Sequence, residues 1–141
     1  MHFSVYSGEA AKRASYRITE PTLIISITDP ACGFNHFAPN RGIVHACSVQ
    51  FDNVAEENAC AEDTLMTAED ALKIREAVLK YKDKVDAVIV HCEVGISRSA
   101  GVMAAVQRYL VGDDSAIFGS EAFSPNRHCY ELMLNAFFPA R

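Results

Sequence analysis

Between residues 91 and 99 the chain reads HCEVGISRS, nine positions that bring together a thiol, a guanidinium, two hydroxyls and a glycine. The apolar run VDAVIV (85–90) leads into this stretch, and the nearly all-apolar segment SAGVMAAVQRYLV (99–111) leads out of it. A strand that enters a tight turn and then opens a helix gathers backbone N–H groups into an anion-binding nest, and the helix dipole adds positive potential. Here the turn runs from Glu93 through Val94, Gly95, Ile96 and Ser97 to Arg98, with Gly95 permitting the awkward backbone. Arg98 adds a planar fork suited to two oxygens of a phosphate. Cys92 stands at the floor of that positive field.

The chemistry follows from the placement. A thiolate, not a thiol, is the nucleophile, and a free cysteine with a pKa near ~8.5 supplies little of it at neutral pH; helix N-termini and cations bring cysteines to roughly 3.5–7.5. The groups that would hold a phosphate would therefore also activate the attacker. Ser99 is placed to donate a hydrogen bond to the sulfur and ease its departure from a phosphocysteine. His91 either orients the cysteine and its loop or is a buried histidine satisfied by backbone.

These residues need elements to carry them. TLIISI (22–27) and VDAVIV (85–90) are compact apolar runs that read as buried strands, and IVHACSVQF (43–51) has the parity of a third. HFSVY (2–6) suits a short edge strand, and GEAAKRASY (8–16) a short helix or turn. The segment 67–83 carries Thr67 as an N-cap, acids in its first turn and lysines in its last, which predicts a helix. A buried helix over 99–111 ends at Gly112, and Tyr130, Met133, Leu134 and Phe137 mark a last helix. The stretches 30–42 and 52–63 read as loops. Apolar strands separated by helices predict a parallel sheet covered on both faces, with ligands beyond the carboxyl ends of its strands. The loops after Ile27, Phe51 and Val90 should meet there.

Composition narrows the classes. At 141 residues, with no repeat or linker-like tract, the chain reads as one domain spanning 1–141. A net charge of −5 leaves no basic stripe for a long nucleic acid. The five cysteines (32, 47, 60, 92 and 129) show no CxxC pair, and the five histidines have no metal-ligand spacing. No cofactor and no metal centre are therefore expected. The start lacks the apolar region of a secretory signal, and no apolar stretch approaches a membrane span. The expectation is a cytoplasmic protein without membrane contact, a monomer or weak dimer, with thiols kept reduced.

HCEVGISRS resembles the HCxxGxSRS form of the Cys-x5-Arg phosphate-loop signature of the cysteine-dependent protein tyrosine phosphatase superfamily, and particularly its compact dual-specificity branch. All six specified letters are present. A looser likeness runs through LIISITD, VQFDN, the helix before the signature and SPNRHCYELML. The resemblance implies the phosphotyrosine protein phosphatase II-like α/β fold: three layers, with a mostly parallel central sheet of about four to five strands flanked by helices. It also implies a two-step, metal-independent hydrolysis of a phosphomonoester. Cys92 would take the phosphoryl group, Arg98 and the amides of 93–98 would stabilise it, and Asn126 would brace the loop, cap the last helix, or do both. An aspartic acid would protonate the leaving oxygen and later activate water.

For that acid, Asp52 in QFDN best matches the context, directly after a strand, and Asp63 and Asp29 are the other candidates. Glu93 and Ile96 stand where phosphoinositide-directed relatives carry basic residues, so the resemblance implies a phosphorylated protein or small phosphomonoester as substrate. Arg127 either reaches the substrate rim or is a plain surface residue. Two other classes stay open: a catalytically weak phosphopeptide-binding module and a sulfurtransferase-like cysteine enzyme. The Ser-Arg-Ser ending of the loop counts against the second.

Overall fold

Apolar runs without polar alternation can be strands only where both faces are covered, and this chain covers them with helices. The computed structural model describes residues 1–30, 37, 40–54, 60, 63–93 and 95–139. Four strands, β1 (His2–Ser7), β2 (Thr22–Thr28), β3 (Ile43–Gln50) and β4 (Ala87–Cys92), form one sheet in the order β1-β4-β2-β3. Every pairing is parallel. The helices are α1 (Gly8–Ser15), α2 (Ala68–Tyr81), α3 (Arg98–Val111), α4 (Ser115–Phe118) and α5 (Arg127–Phe137).

The two inner strands, β2 and β4, are buried along their whole length. Side chains of one parity (Leu23, Ile25, Ile27, Val88, Val90 and Cys92) join the main core. Ile74 and Val78 of α2, Met103 and Val106 of α3, and Met133 and Phe137 of α5 pack onto them. The opposite parity lies toward α1, where Ala87 and Ile89 share a cleft with Ala10 and Ala14. The result is a three-layer α/β sandwich. Cys92 belongs to the layer of α2, α3 and α5, and its neighbour His91 to the layer of α1.

Local chemistry explains the boundaries. Thr67 caps α2 through a reciprocal pair: its hydroxyl accepts the Asp70 N–H (3.1 Å), and the Asp70 carboxylate accepts the Thr67 N–H (2.9 Å). Strand β4 continues two residues past the Val90 end expected from its apolar run, because His91 still pairs with Tyr6 and Ser26, and Cys92 with Ser7. The helix after the turn begins at Arg98, one residue early. α4, only four residues long, escapes sequence reading because it is too short for a helical period to register. Among the described residues no helix is long and apolar enough to cross a membrane.

Helix α3 is buried from Arg98 to Gln107, which demands small residues where neighbours approach. Gly101 marks the closest approach: a Cβ there would lie 2.5 Å from the Asn126 carbonyl oxygen and 3.3 Å from Cys129 Cβ. Gly101→Ala should therefore force α3 and α5 apart and destabilise the protein by about 1–3 kcal/mol, despite alanine's better helix propensity. Urea denaturation of the two proteins side by side measures it; equal midpoints would contradict the close packing.

Candidate active site

Cys92 ends the inner strand β4, and the turn that follows lies across the end of β1. Cys92 is buried, with 2% of the residue exposed. Gly95 N–H donates to Cys92 Sγ over 3.2 Å, and Ser99 Oγ stands 3.1 Å from the same sulfur. Gly95 adopts φ +83°, and a Cβ on it would meet Ser7 N and Tyr6 C at 2.6 Å. Only glycine can both turn the chain this way and touch the backbone of β1. The Gly8 N–H donates to the Glu93 carbonyl (3.4 Å) from the same side.

On the far side the turn is held by the approach to α5. Ser124 N–H donates to the Ile96 carbonyl (2.7 Å), and Asn126 N–H to the Ser97 carbonyl (3.0 Å). Ser97 makes no side-chain cap on α3, and the first turn of that helix carries no acid. Its leading amides are thus free of a competing side-chain acceptor from their own cap. Glu93 and Ile96 present exposed side chains at the rim, and Val94 lies outside the described residues.

Arg98 is 3% exposed and firmly partnered. Its Nη1 donates both to Asp29 Oδ1 (2.6 Å) and to the Phe51 carbonyl (2.7 Å). Its Nε is buried with no partner among the described residues. The loops after β2, β3 and β4 therefore meet at one guanidinium, as the parallel sheet required. Of the three candidate acids, Asp29 has an oxygen engaged by this pair. Asp52 directly follows the carbonyl that Arg98 grips, and its Oδ2 accepts the Thr64 N–H (2.7 Å) while its own N–H donates to the Thr64 carbonyl (2.7 Å). Asp63 turns to its own chain, accepting the Cys60 N–H at 2.8 Å.

Asn126 acts through both its side chain and its backbone. Its Oδ1 caps α5 by accepting the Cys129 N–H (3.0 Å), while Nδ2 donates to the Val54 carbonyl (3.2 Å) and reaches Asn53 Oδ1 (3.4 Å). Its backbone holds the cysteine turn and its side chain holds the segment after Asp52. Sequence reasoning missed this second reach, as it missed the Asp29–Arg98 pair; the only hint was that Asp29 ends a strand at the predicted ligand edge. Arg127 is exposed and pairs with Glu131 one turn along its own helix (3.4 Å).

The remaining thiols behave differently. Cys129 is buried, and burial pushes its thiol up to about 12, which makes it inert packing. Burial raises Cys47 as well, and Cys60 is exposed. Cys32 lies outside the described residues. No cluster of His, Cys, Asp or Glu among the described residues has the arrangement of a metal site.

No family model and no curated protein sequence matches the chain. Solved structures do. The PTP-2 phosphatase of Cydia pomonella superimposes with a TM-score of 0.59 at 19% identity, over 96% of this chain and 85% of that one. Human DUSP28 gives 0.58 at 19% identity, over 96% and 90%. PTPMT1, solved in complex with PI(5)P, gives 0.55 at 14% identity, over 96% and 90%. The chain therefore has the fold of the tyrosine and dual-specificity phosphatases.

His91 offers a titration signature of this arrangement. It is fully buried, edge-on to Phe37 with ring centroids 5.6 Å apart, and neither ring nitrogen has a well-formed hydrogen bond among the described residues. Burial lowers its pKa from 6.5 to about 4, opposed in part by the backbone of Cys92 and reinforced by Lys12. The ring is thus neutral when folded, while the unfolded chain binds a proton below 6.5. Its contribution to stability is intact above that pH and is lost on acidification toward 4, by an amount on the order of 3 kcal/mol. Urea titrations from pH 7.5 to 4 should show a shallower fall for His91→Gln than for wild type; parallel curves would remove His91 from the account.

Proposed function

We propose that this chain is a metal-independent phosphomonoester hydrolase of the protein tyrosine or dual-specificity phosphatase type. On this reading residues 1–141 form one catalytic domain. The observation that carries it is the setting of the Cys92 sulfur: it receives the Gly95 N–H, has the Ser99 hydroxyl at 3.1 Å, and sits below a helix whose first residue is Arg98. A structural cysteine needs none of these groups. A nucleophile that must become a leaving group uses all of them.

In the first step the Cys92 thiolate attacks phosphorus, an S–P bond forms, and the bond to the leaving oxygen breaks. Asp52 gives that oxygen its proton. Arg98 and the amides of residues 93–98 stabilise the charge on the transferring phosphoryl oxygens. In the second step water attacks the phosphocysteine and passes its proton to Asp52. The S–P bond breaks, inorganic phosphate leaves, and Ser99 donates to the departing thiolate. His91 and Asn126 support the turn, and no metal or cofactor takes part.

The rim supports a substrate with a single phosphate. Arg98 is the one cation between 91 and 99, Glu93 is exposed, and Ile96 is 44% exposed. A phosphorylated protein or a small phosphomonoester fits that balance better than a polyphosphorylated lipid. The unpaired thiols Cys47, Cys60, Cys92 and Cys129 support a reducing cytoplasm.

Wild-type protein in EDTA should hydrolyse p-nitrophenyl phosphate and be inhibited by vanadate, and Cys92→Ser should abolish turnover. Asp52→Ala should cost on the order of 10²–10⁴-fold in kcat on phenyl phosphate, and much less on activated aryl esters. If Asp63→Ala shows that pattern instead, the acid is Asp63. No turnover above Cys92→Ser sinks the hydrolase. Phosphopeptide capture without turnover would point to a binding module, and persulfide on Cys92 after thiosulfate to a sulfurtransferase.

A further inference from the structure

We propose that Asp29 is the positioning residue for Arg98, and that through Arg98 it fixes both the phosphate-binding fork and the start of the Asp52 segment. The inference rests on the phosphatase reading above and assigns Asp29 a role other than proton donor.

Arg98 Nη1 is shared between Asp29 Oδ1 at 2.6 Å and the Phe51 carbonyl at 2.7 Å. The N–H of the same Phe51 donates to the Thr28 carbonyl (3.1 Å), so the ends of β2 and β3 are already tied. The guanidinium is added to that tie as a brace. Its side chain is 4% exposed against 35% for Asp29, so the arginine is the immobile partner and the carboxylate its outward counter-charge. With Nη1 spent on the protein, the guanidinium keeps its Nε edge for a ligand, and Nε is the buried nitrogen without a partner among the described residues. A fork held from one corner presents its other edge in a fixed plane, which is what bidentate recognition of an oxyanion requires.

The same contact reaches the acid. Phe51 immediately precedes Asp52, and the Asp52 N–H and carboxylate are bonded to Thr64. Among the described residues, removing Asp29 leaves the buried guanidinium hydrogen-bonded only to a neutral carbonyl. The cation would then turn toward other acceptors, and the carbonyl that it aligns would lose its donor. Asp29 cannot easily serve as the acid from this position, because one of its oxygens is bound to Arg98.

The test compares wild type, Asp29→Ala and Asp29→Asn on p-nitrophenyl phosphate and phenyl phosphate, with inorganic phosphate affinity measured by calorimetry and folding checked by thermal unfolding. Asp29→Ala should lose roughly 100-fold in kcat/KM on p-nitrophenyl phosphate and at least as much on phenyl phosphate, and phosphate affinity should fall with it. Asp29→Asn keeps an acceptor oxygen and should recover about tenfold of that loss. An Arg98→Lys protein should lose nothing further on adding Asp29→Ala. A loss confined to phenyl phosphate, with phosphate affinity intact, would make Asp29 the acid and overturn the proposal; so would unchanged or increased phosphate affinity in Asp29→Ala. Should that variant fail to fold, Asp29→Asn decides: kcat/KM equal to wild type, or a loss on one ester only, overturns the proposal. Phosphate binding is read independently of turnover, so a wild type that binds phosphate without hydrolysing esters fails the function above and leaves this measurement valid.

Discussion

A guanidinium buried in the protein interior is costly unless its charge is matched, and Arg98 is matched by residues that are distant in sequence. Asp29 lies 69 positions before it, and Phe51 lies 47 before it. Transfer of an unpaired ion from water into such a site would cost several kcal/mol. The fold therefore has to bring the ends of β2 and β3 to the start of α3 whenever Arg98 is buried. The parallel sheet does this by construction: parallel strands end on the same side, so their carboxyl-end loops converge. The pair adds little stability compared with an apolar contact of similar size. Its value lies in fixing the orientation of three loops.

Strand order explains why the turn after β4 is so closely confined. β4 lies between β1 and β2, so the segment 93–97 emerges with a neighbour on each side. Toward β1 the contact is backbone against backbone, with Gly95 pressed onto Tyr6 and Ser7. Toward β2 the contact is electrostatic, through Arg98. From beyond the sheet, Ser124 and Asn126 hold the carbonyls of Ile96 and Ser97. A turn fixed on three sides presents its amides without reorganisation, the condition under which such dipoles stabilise charge most effectively.

Much of this is legible in the sequence. Apolar runs give β2 and β4 because strands buried on both faces need no alternation, and Thr67 as an N-cap with acids in the first turn marks the start of α2. The limits were equally physical. Hydropathy ends at Val90, but the backbone ladder does not, so the apolar run alone stops short of His91 and Cys92. Asp29 was visible as an acid at the ligand edge, yet its partner was not, because an ion pair across 69 residues leaves no local signal. Asn126 shows the same division: its capping of Cys129 is readable from SPNR, whereas its reach to Asn53 and Val54 depends on how two loops pack.

Burial alone does not distinguish Cys92, the proposed nucleophile, from Cys129. Cys92 and Cys129 are 2% and 1% exposed, and both lie in the same core. Desolvation disfavours a thiolate wherever it occurs, and Cys129 illustrates the result, a thiol raised to about 12. The difference lies in what points at the sulfur. Cys129 sits within the first turns of α5, its backbone N–H taken by the Asn126 cap and its side chain packed near Gly101 of α3. Cys92 has an amide donor at 3.2 Å and a hydroxyl at 3.1 Å, and the backbone that supplies both begins at its own residue. Sequence position creates that difference: a cysteine at the last residue of an inner parallel strand lies under the helix that follows, whereas one inside a helix has its neighbouring amides already committed. The placement of Cys92 at the junction of β4 and the turn to α3 is thus what would make a buried sulfur usable as the proposed nucleophile.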